Sequence, residues 1–208
     1  MDALTLRFRL GRIPVSVEPW FWLTTLVLAG GLPGPFLAVW LLVAFASILV
    51  HELGHALVSR HYGASARIRL YALGGLAYRD RALGRWPSLA VALAGPGAGF
   101  VLGGIVWAVH HALPPLPAGM EFLLRSLEYA NLGWGVINLA PVLPLDGGHA
   151  MELLLKIRGD ARAHQISMYV AGALAVLSVL WSSFGLALFF GALAVYNGQR
   201  LRGPSPLG

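Results

Sequence analysis

The chain has 208 residues, of which 57% are hydrophobic and only 12% charged, about half the charged share of soluble domains. That balance excludes disordered and fibrous classes and leaves little room for an ordinary soluble globule. The absence of cysteine excludes disulfides, thiolate catalysis and Cys-based zinc sites. The net charge of +6, with 14 of 15 basic residues being arginine, comes without a basic face or aromatic-basic module, so no nucleic-acid partner is expected.

In chain order, Arg7, Arg9 and Arg12 precede the first apolar run, but no small-residue cleavage site ends a short apolar stretch, so a secretory signal is not expected. Leu4 to Leu10 alternates with period two, as does Val15-Ser16-Val17, which predicts one or two short strands at the membrane surface. Trp20 to Val50 carries no charge, and one spanning helix needs about 20 residues. Pro33-Gly34-Pro35 splits that run into helices over about 19–32 and 36–59. Further helices are predicted over about 86–112 and 121–140. The charge-free run from Gln165 to Gln199 turns at Ser182-Ser183-Phe184-Gly185, giving helices over about 165–181 and 184–199. The expected fold is an all-α membrane protein, a single domain over 1–208 with about six transmembrane helices and a small interfacial β element.

Arginine placement supports six spans. Basic residues fall before helix one, between helices two and three, between four and five, and after six. The turns at 32–35, 113–120 and 182–185 have none. The positive-inside bias then places both termini in the cytoplasm. The arginine preference suits a GC-rich, prokaryotic source and its cell membrane.

His51-Glu52-Leu53-Gly54-His55 is an H-E-x-x-H motif within the second predicted helix. Residues four apart share a helix face, so both imidazoles can reach one metal. Glu52 lies beside that metal, where a carboxylate can take a proton from water. Arg60 is the first charge after the motif, which puts His55 about 7 Å and His51 about 13 Å deeper in the bilayer. Ionisable groups there cost on the order of 2.5–3.5 kcal/mol on insertion scales and mark function. A water-filled cavity is implied.

A catalytic zinc takes three protein ligands and one water. Asp146 stands out as the third, because Pro141, Pro144, Gly147 and Gly148 break the helix around it at membrane depth. A plain helix-capping role for Asp146, ahead of a helix over about 149–157, is the competing reading. Glu121, Glu128 and Glu152 are the remaining glutamates after the motif. His149 is disfavoured as a fourth ligand, since it would close a site that must hold water.

With both motifs in view, the chain resembles the site-2 protease family of intramembrane zinc metalloproteases, in a compact form without PDZ or CBS domains. His51, Glu52 and His55 match the family's H-E-x-x-H. Asn138, Pro141, Pro144, Asp146 and Gly147 match its N-x-x-P…D-G, and Ala94-Gly95-Pro96 matches its A-G-P. The family often has Asn where this chain has Gly99, a departure expected to touch local helix contacts and not the metal. The resemblance implies one Zn²⁺ per chain held by His51, His55 and Asp146, with Glu52 as general acid/base. It implies that Asn138 holds the substrate carbonyl or oxyanion. The implied reaction is hydrolysis of a peptide bond in a transmembrane or signal-peptide-like substrate near the cytoplasmic side.

The segment Arg67 to Arg79 alternates Arg and apolar residues and then meets Gly74-Gly75. This predicts an interfacial hairpin turning at the glycines, whose free edge can bind an extended peptide through main-chain hydrogen bonds. Gly95, Gly99 and Gly103, four apart, are expected to serve close helix packing. His110 and His111 are expected to be solvated at the outer end. Partners are thus the substrate and the lipid bilayer, with homo-oligomerisation allowed. The alternative function is a non-proteolytic zinc-binding or chaperone-like membrane protein of the same fold, against which an intact Glu52 argues.

Overall fold

A computed structural model describes residues 4–72 and 74–202. The chain packs as two compact units that divide between Ile137 and Asn138.

The first unit begins with a β-hairpin, β1 (Leu6–Leu10) and β2 (Ile13–Val17), turning at Gly11 with φ +57°. Two helices follow, α1 (Pro19–Leu28) and α2 (Gly34–His61). α1 stops four residues short of the expected 32 because Gly30 and Gly31 take φ of +59° and +83°, a left-handed backbone that ends a helix. α2 starts at Gly34 behind Pro33, with Pro35 in its first turn, where a missing N–H costs nothing.

The strands β3 (Ala66–Tyr71) and β4 (Gly74–Arg79) come next and pair antiparallel as the expected hairpin, within a larger sheet. β3 pairs parallel to β2, with Val15 opposite Ile68 and Val17 opposite Leu70, so the sheet has the order β1-β2-β3-β4. The crossover between the parallel strands is the α1–α2 helix pair. Alternation then sorts the faces. Ile13, Val15, Val17, Ala66, Ile68 and Leu70 are buried against Phe21 and Ala56, with Phe45 and Leu53 packed alongside. Arg67, Arg69 and Tyr71 are on the opposite, exposed face. The hairpin does not turn at Gly74-Gly75 as expected: both glycines lie in β4, and Ala72, just after β3, is left-handed with φ +42°.

The unit closes with α3 (Arg85–Ala112) and α4 (Ala118–Glu128), a π-helical turn over Tyr129–Gly133, and α5 (Trp134–Asn138). The continuous helix expected over 121–140 is interrupted by that π-turn. A π-turn inserts an extra residue and re-aims a side chain, and here it points Asn131 inward, where its Nδ2 donates to Ser47 Oγ at 2.9 Å and to the Leu127 carbonyl at 2.8 Å.

The second unit contains α6 (Asp146–Leu155), α7 (Ala161–Leu180) and α8 (Phe184–Leu201). α7 begins four residues earlier than expected because Asp160 accepts the Arg162 N–H at 2.9 Å as its cap. Among the described residues, three helices, α2, α3 and α7, are long and apolar enough to cross a membrane. Their outward residues include exposed Leu42, Val101, Ile105 and Val176, large apolar groups that suit lipid rather than water.

Candidate metal centre

α2 supplies the first half of the site. His51, Glu52 and His55 are all buried, along with Ser47 and Ser59, so one stripe of α2 at four-residue spacing faces inward as polar groups. The His51 and His55 Nε2 atoms lie 3.1 Å apart. Two nitrogens bound to one tetrahedral zinc would stand about 3.3 Å apart. His55 Nδ1 is 2.6 Å from the Val91 carbonyl on α3. A carbonyl can only accept, so Nδ1 carries the proton and Nε2 presents its lone pair. This tautomer is the one a metal requires, and the donor set fits zinc.

Glycines shape the surroundings. A Cβ at Gly54 would run into the Ala94 carbonyl, so α2 and α3 touch backbone to backbone. A Cβ at Gly95 would collide with His55 Nε2 and come within 2.7 Å of His51 Nε2. Gly95 therefore leaves room for the imidazoles, a role its four-residue repeat with Gly99 and Gly103 did not reveal. Those two do serve packing, against Asn131 and Leu132 of the π-turn. Gly75 of β4 meets Glu52, whereas nothing lies within 4 Å of a Cβ at Gly74.

The second unit builds the other motif. Asn138 is buried at the end of α5, and residues 139–145 follow without helix, including a cis Leu143–Pro144 peptide. Non-helical backbone at membrane depth must find partners within the protein. Here the Leu143 N–H donates to Ser167 Oγ at 3.0 Å, and its carbonyl accepts from Asn197 Nδ2 at 2.7 Å. Both side chains are fully buried, and His164 Nδ1 bonds the Asn197 Oδ1 at 2.8 Å. Gly147 and Gly148 sit so close to the 139–143 backbone that a Cβ at either would strike it. Asp146 thus opens α6, three residues earlier than the expected start near 149, with Leu145 as the cap residue. A helix N-terminus favours an ionised carboxylate.

The alternative ligands are engaged elsewhere. Glu152 pairs with His149 at 3.2 Å and accepts the Gly159 N–H at 3.3 Å. Glu121 and Glu128 both bond His110, at 3.0 and 2.5 Å, so His110 is ion-paired rather than solvated as expected. His51 and His55 offer their ring nitrogens in the first unit, and Asp146 offers its carboxylate in the second, the donor types a zinc ion takes. Sequence reasoning missed Asn131, Ser167 and Asn197. Each is a polar residue in an apolar helix, which is the available signal.

Residues 114–178 match the model of peptidase family M50. A protein named as a zinc metalloprotease from Synechocystis is 32% identical over 203 residues, covering 89% of this chain and 51% of that relative. A zinc metalloprotease from Methanocaldococcus jannaschii is 30% identical over 198 residues, covering 92% of this chain and 58% of its own length. The chain spans about half the length of the curated relatives it matches. The solved structure of a site-2 protease from Methanocaldococcus jannaschii aligns with a TM-score of 0.66 at 26% identity, covering 95% of each chain.

Proposed function

Since the chain carries a peptidase M50 (site-2 protease) domain, we propose that it is an intramembrane zinc endopeptidase cutting transmembrane or signal-peptide-like substrates near the cytoplasmic face. In this reading six segments cross a prokaryotic cell membrane, with both termini cytoplasmic, as the arginine distribution favours. The observation that carries it is the placement of buried Glu52 between two imidazoles whose Nε2 atoms converge to 3.1 Å.

His51, His55 and Asp146 would hold one zinc per chain. When bound, zinc supplies Lewis acidity, acidifying water and polarising a carbonyl. Glu52 takes the proton from the attacking water and passes it to the leaving amine. Its burial keeps bulk water from competing for that proton. β4 ends the sheet, so its outer edge is open to an extended peptide. Gly74 and Gly75 keep that edge free of side chains, so the peptide backbone can approach Glu52. Asn138 supplies an amide for the substrate carbonyl.

The test compares wild type with Glu52→Gln and Asp146→Ala for zinc content and for cleavage of a transmembrane peptide in detergent. Zinc near one per chain is expected in wild type and Glu52→Gln, less in Asp146→Ala, and cleavage in wild type alone. Glu52-independent cleavage would overturn the assignment. Zinc without any Glu52-dependent cleavage would favour a non-proteolytic zinc-binding or chaperone-like protein.

A further inference from the structure

The C-terminal end of α3 carries a second set of metal-ligating side chains, which peptide hydrolysis does not use. Between Trp86 and Leu145 the only charged residues are Glu121, Arg125 and Glu128, and both acids converge on one imidazole. His110 Nδ1 lies 2.5 Å from Glu128 Oε1, and His110 Nε2 lies 3.0 Å from Glu121 Oε2. His111 is exposed, yet two contacts hold its ring. Its Nδ1 is 2.9 Å from the Trp107 carbonyl, and the two ring centroids are 4.7 Å apart. A carbonyl only accepts, so His111 Nδ1 carries the proton and Nε2 keeps its lone pair. A ring nitrogen of His110, one of His111 and a carboxylate oxygen of Glu128 lie within 4.8 Å of one another. All three residues belong to the first unit. Gly95 of α3 abuts His51 and His55, and His110 is 15 residues further along the same helix, so about 22 Å separates the two sets.

We propose that His110, His111 and Glu128 form a second, exchangeable site for a divalent transition metal, zinc foremost. Imidazole nitrogens select zinc and its neighbours over magnesium and calcium, which take oxygen ligands. The metal enters between His110 Nδ1 and Glu128 Oε1 and displaces the proton between them to water. Those two atoms open by less than about 1 Å, to the separation of about 3.3 Å that two ligands take on a tetrahedral zinc. The Nε2–H of His110 keeps its bond to Glu121, which is fixed in turn by Arg125. A carboxylate behind a ligating histidine orients the ring and raises its basicity toward the metal. Three protein ligands leave a fourth position to water, so binding is weaker than at a closed four-ligand site. Dialysis empties such a site, which leaves one zinc per chain as the expectation for dialysed protein. The site also joins the last turn of α3 to the last turn of α4, directly before the π-turn that carries Asn131. Bound metal therefore stabilises that packing by mass action.

The experiment uses the full chain, without an affinity tag, dialysed in a neutral detergent. Zinc content is measured first, so that refilling of the His51–His55 site is not counted. Zinc chloride and magnesium chloride are then titrated separately by calorimetry, and thermal midpoints are taken with and without excess metal. One further saturable zinc event per chain is expected, with a rise in the midpoint and no response to magnesium. His111→Gln and Glu128→Gln should each weaken that event by about tenfold or more. His111 is exposed and leaves both His110 contacts intact, so its variant guards against misfolding of the other. His61→Gln, at the end of α2, should leave the event unchanged. No event beyond the zinc already present would overturn the proposal. So would an event unchanged in His111→Gln or in Glu128→Gln, which would mean zinc on other surface histidines. Magnesium matching zinc would reduce the site to its carboxylates and overturn it as well.

Discussion

Gly75 on β4 lies against Glu52 on α2 so closely that a Cβ at residue 75 would stand 2.7 Å from Glu52 Cδ and 2.8 Å from its Oε1. Any side chain there must push the carboxylate aside. Gly75→Ala is therefore expected to lower kcat about 10- to 100-fold, the scale of loss when a catalytic group moves by about an ångström. Zinc content should stay at the wild-type level. Gly74→Ala, with nothing of the chain itself within 4 Å, leaves Glu52 in place, so any loss should appear in KM for the peptide and not in kcat. Equal losses at both positions would mean that the strand edge, and not contact with Glu52, sets the requirement for glycine.

Gly95 stands in the same relation to the imidazoles. Gly95→Ala places a methyl group against His55 Nε2 and near His51 Nε2, so the expected defect is in metal retention. Zinc per chain after dialysis should fall well below that of wild type. Gly97→Ala, two residues on and with open space around it, should retain zinc. Normal zinc in Gly95→Ala would show that the histidines move freely and that Gly95 only serves packing.

These two glycines show what a sequence can and cannot disclose. His51 and His55 are legible because helical spacing alone puts them on one face, and Asp146 because prolines and glycines crowd around it. Gly95 belongs to a four-residue glycine repeat that reads as helix packing, and only the α2–α3 crossing shows which member faces a ligand. Gly74-Gly75 reads as a turn because glycine dominates turns, but both glycines lie in β4, and Ala72, just after β3, is left-handed. The π-turn at Tyr129–Gly133 contains no proline, and its single glycine, Gly133, does not by itself divide the expected helix around Asn131. The parallel pairing of β2 with β3 was hidden because the strands lie about 50 residues apart, with two helices between them.

Ser167 and Asn197 have meaning only through Leu143. Each satisfies one polar group of a non-helical backbone within the protein. Ser167→Ala leaves the Leu143 N–H without its partner, and Asn197→Ala strips the Leu143 carbonyl and the His164 ring nitrogen of theirs. A buried group so orphaned costs about 1–3 kcal/mol, with the larger loss expected for Asn197→Ala. Thermal midpoints in one detergent would check the order. No change in either variant would mean that water replaces both side chains.

Asp80 supplies a pH dependence outside the spans. Its Oδ1 accepts the Ser65 N–H at 2.8 Å, and its own N–H donates to the Ser65 carbonyl at 3.3 Å, closing the open end of the β3–β4 pair. Hydrogen bonds from Ser65, aided by Arg81, hold the Asp80 carboxyl below its usual range. A depressed folded-state pKa means the contribution is fully present above the unfolded value of about 3.9. It is lost as pH falls through the lower folded-state value. Amide exchange at Ser65 should therefore stay slow and pH-independent, after correction for intrinsic rates, down to about pH 4. Below that, protection should decline. Asp80→Asn removes the titration, so its corrected protection should be flat across the same acid range. A decline in Asp80→Asn matching that of wild type would assign the acid sensitivity to another group.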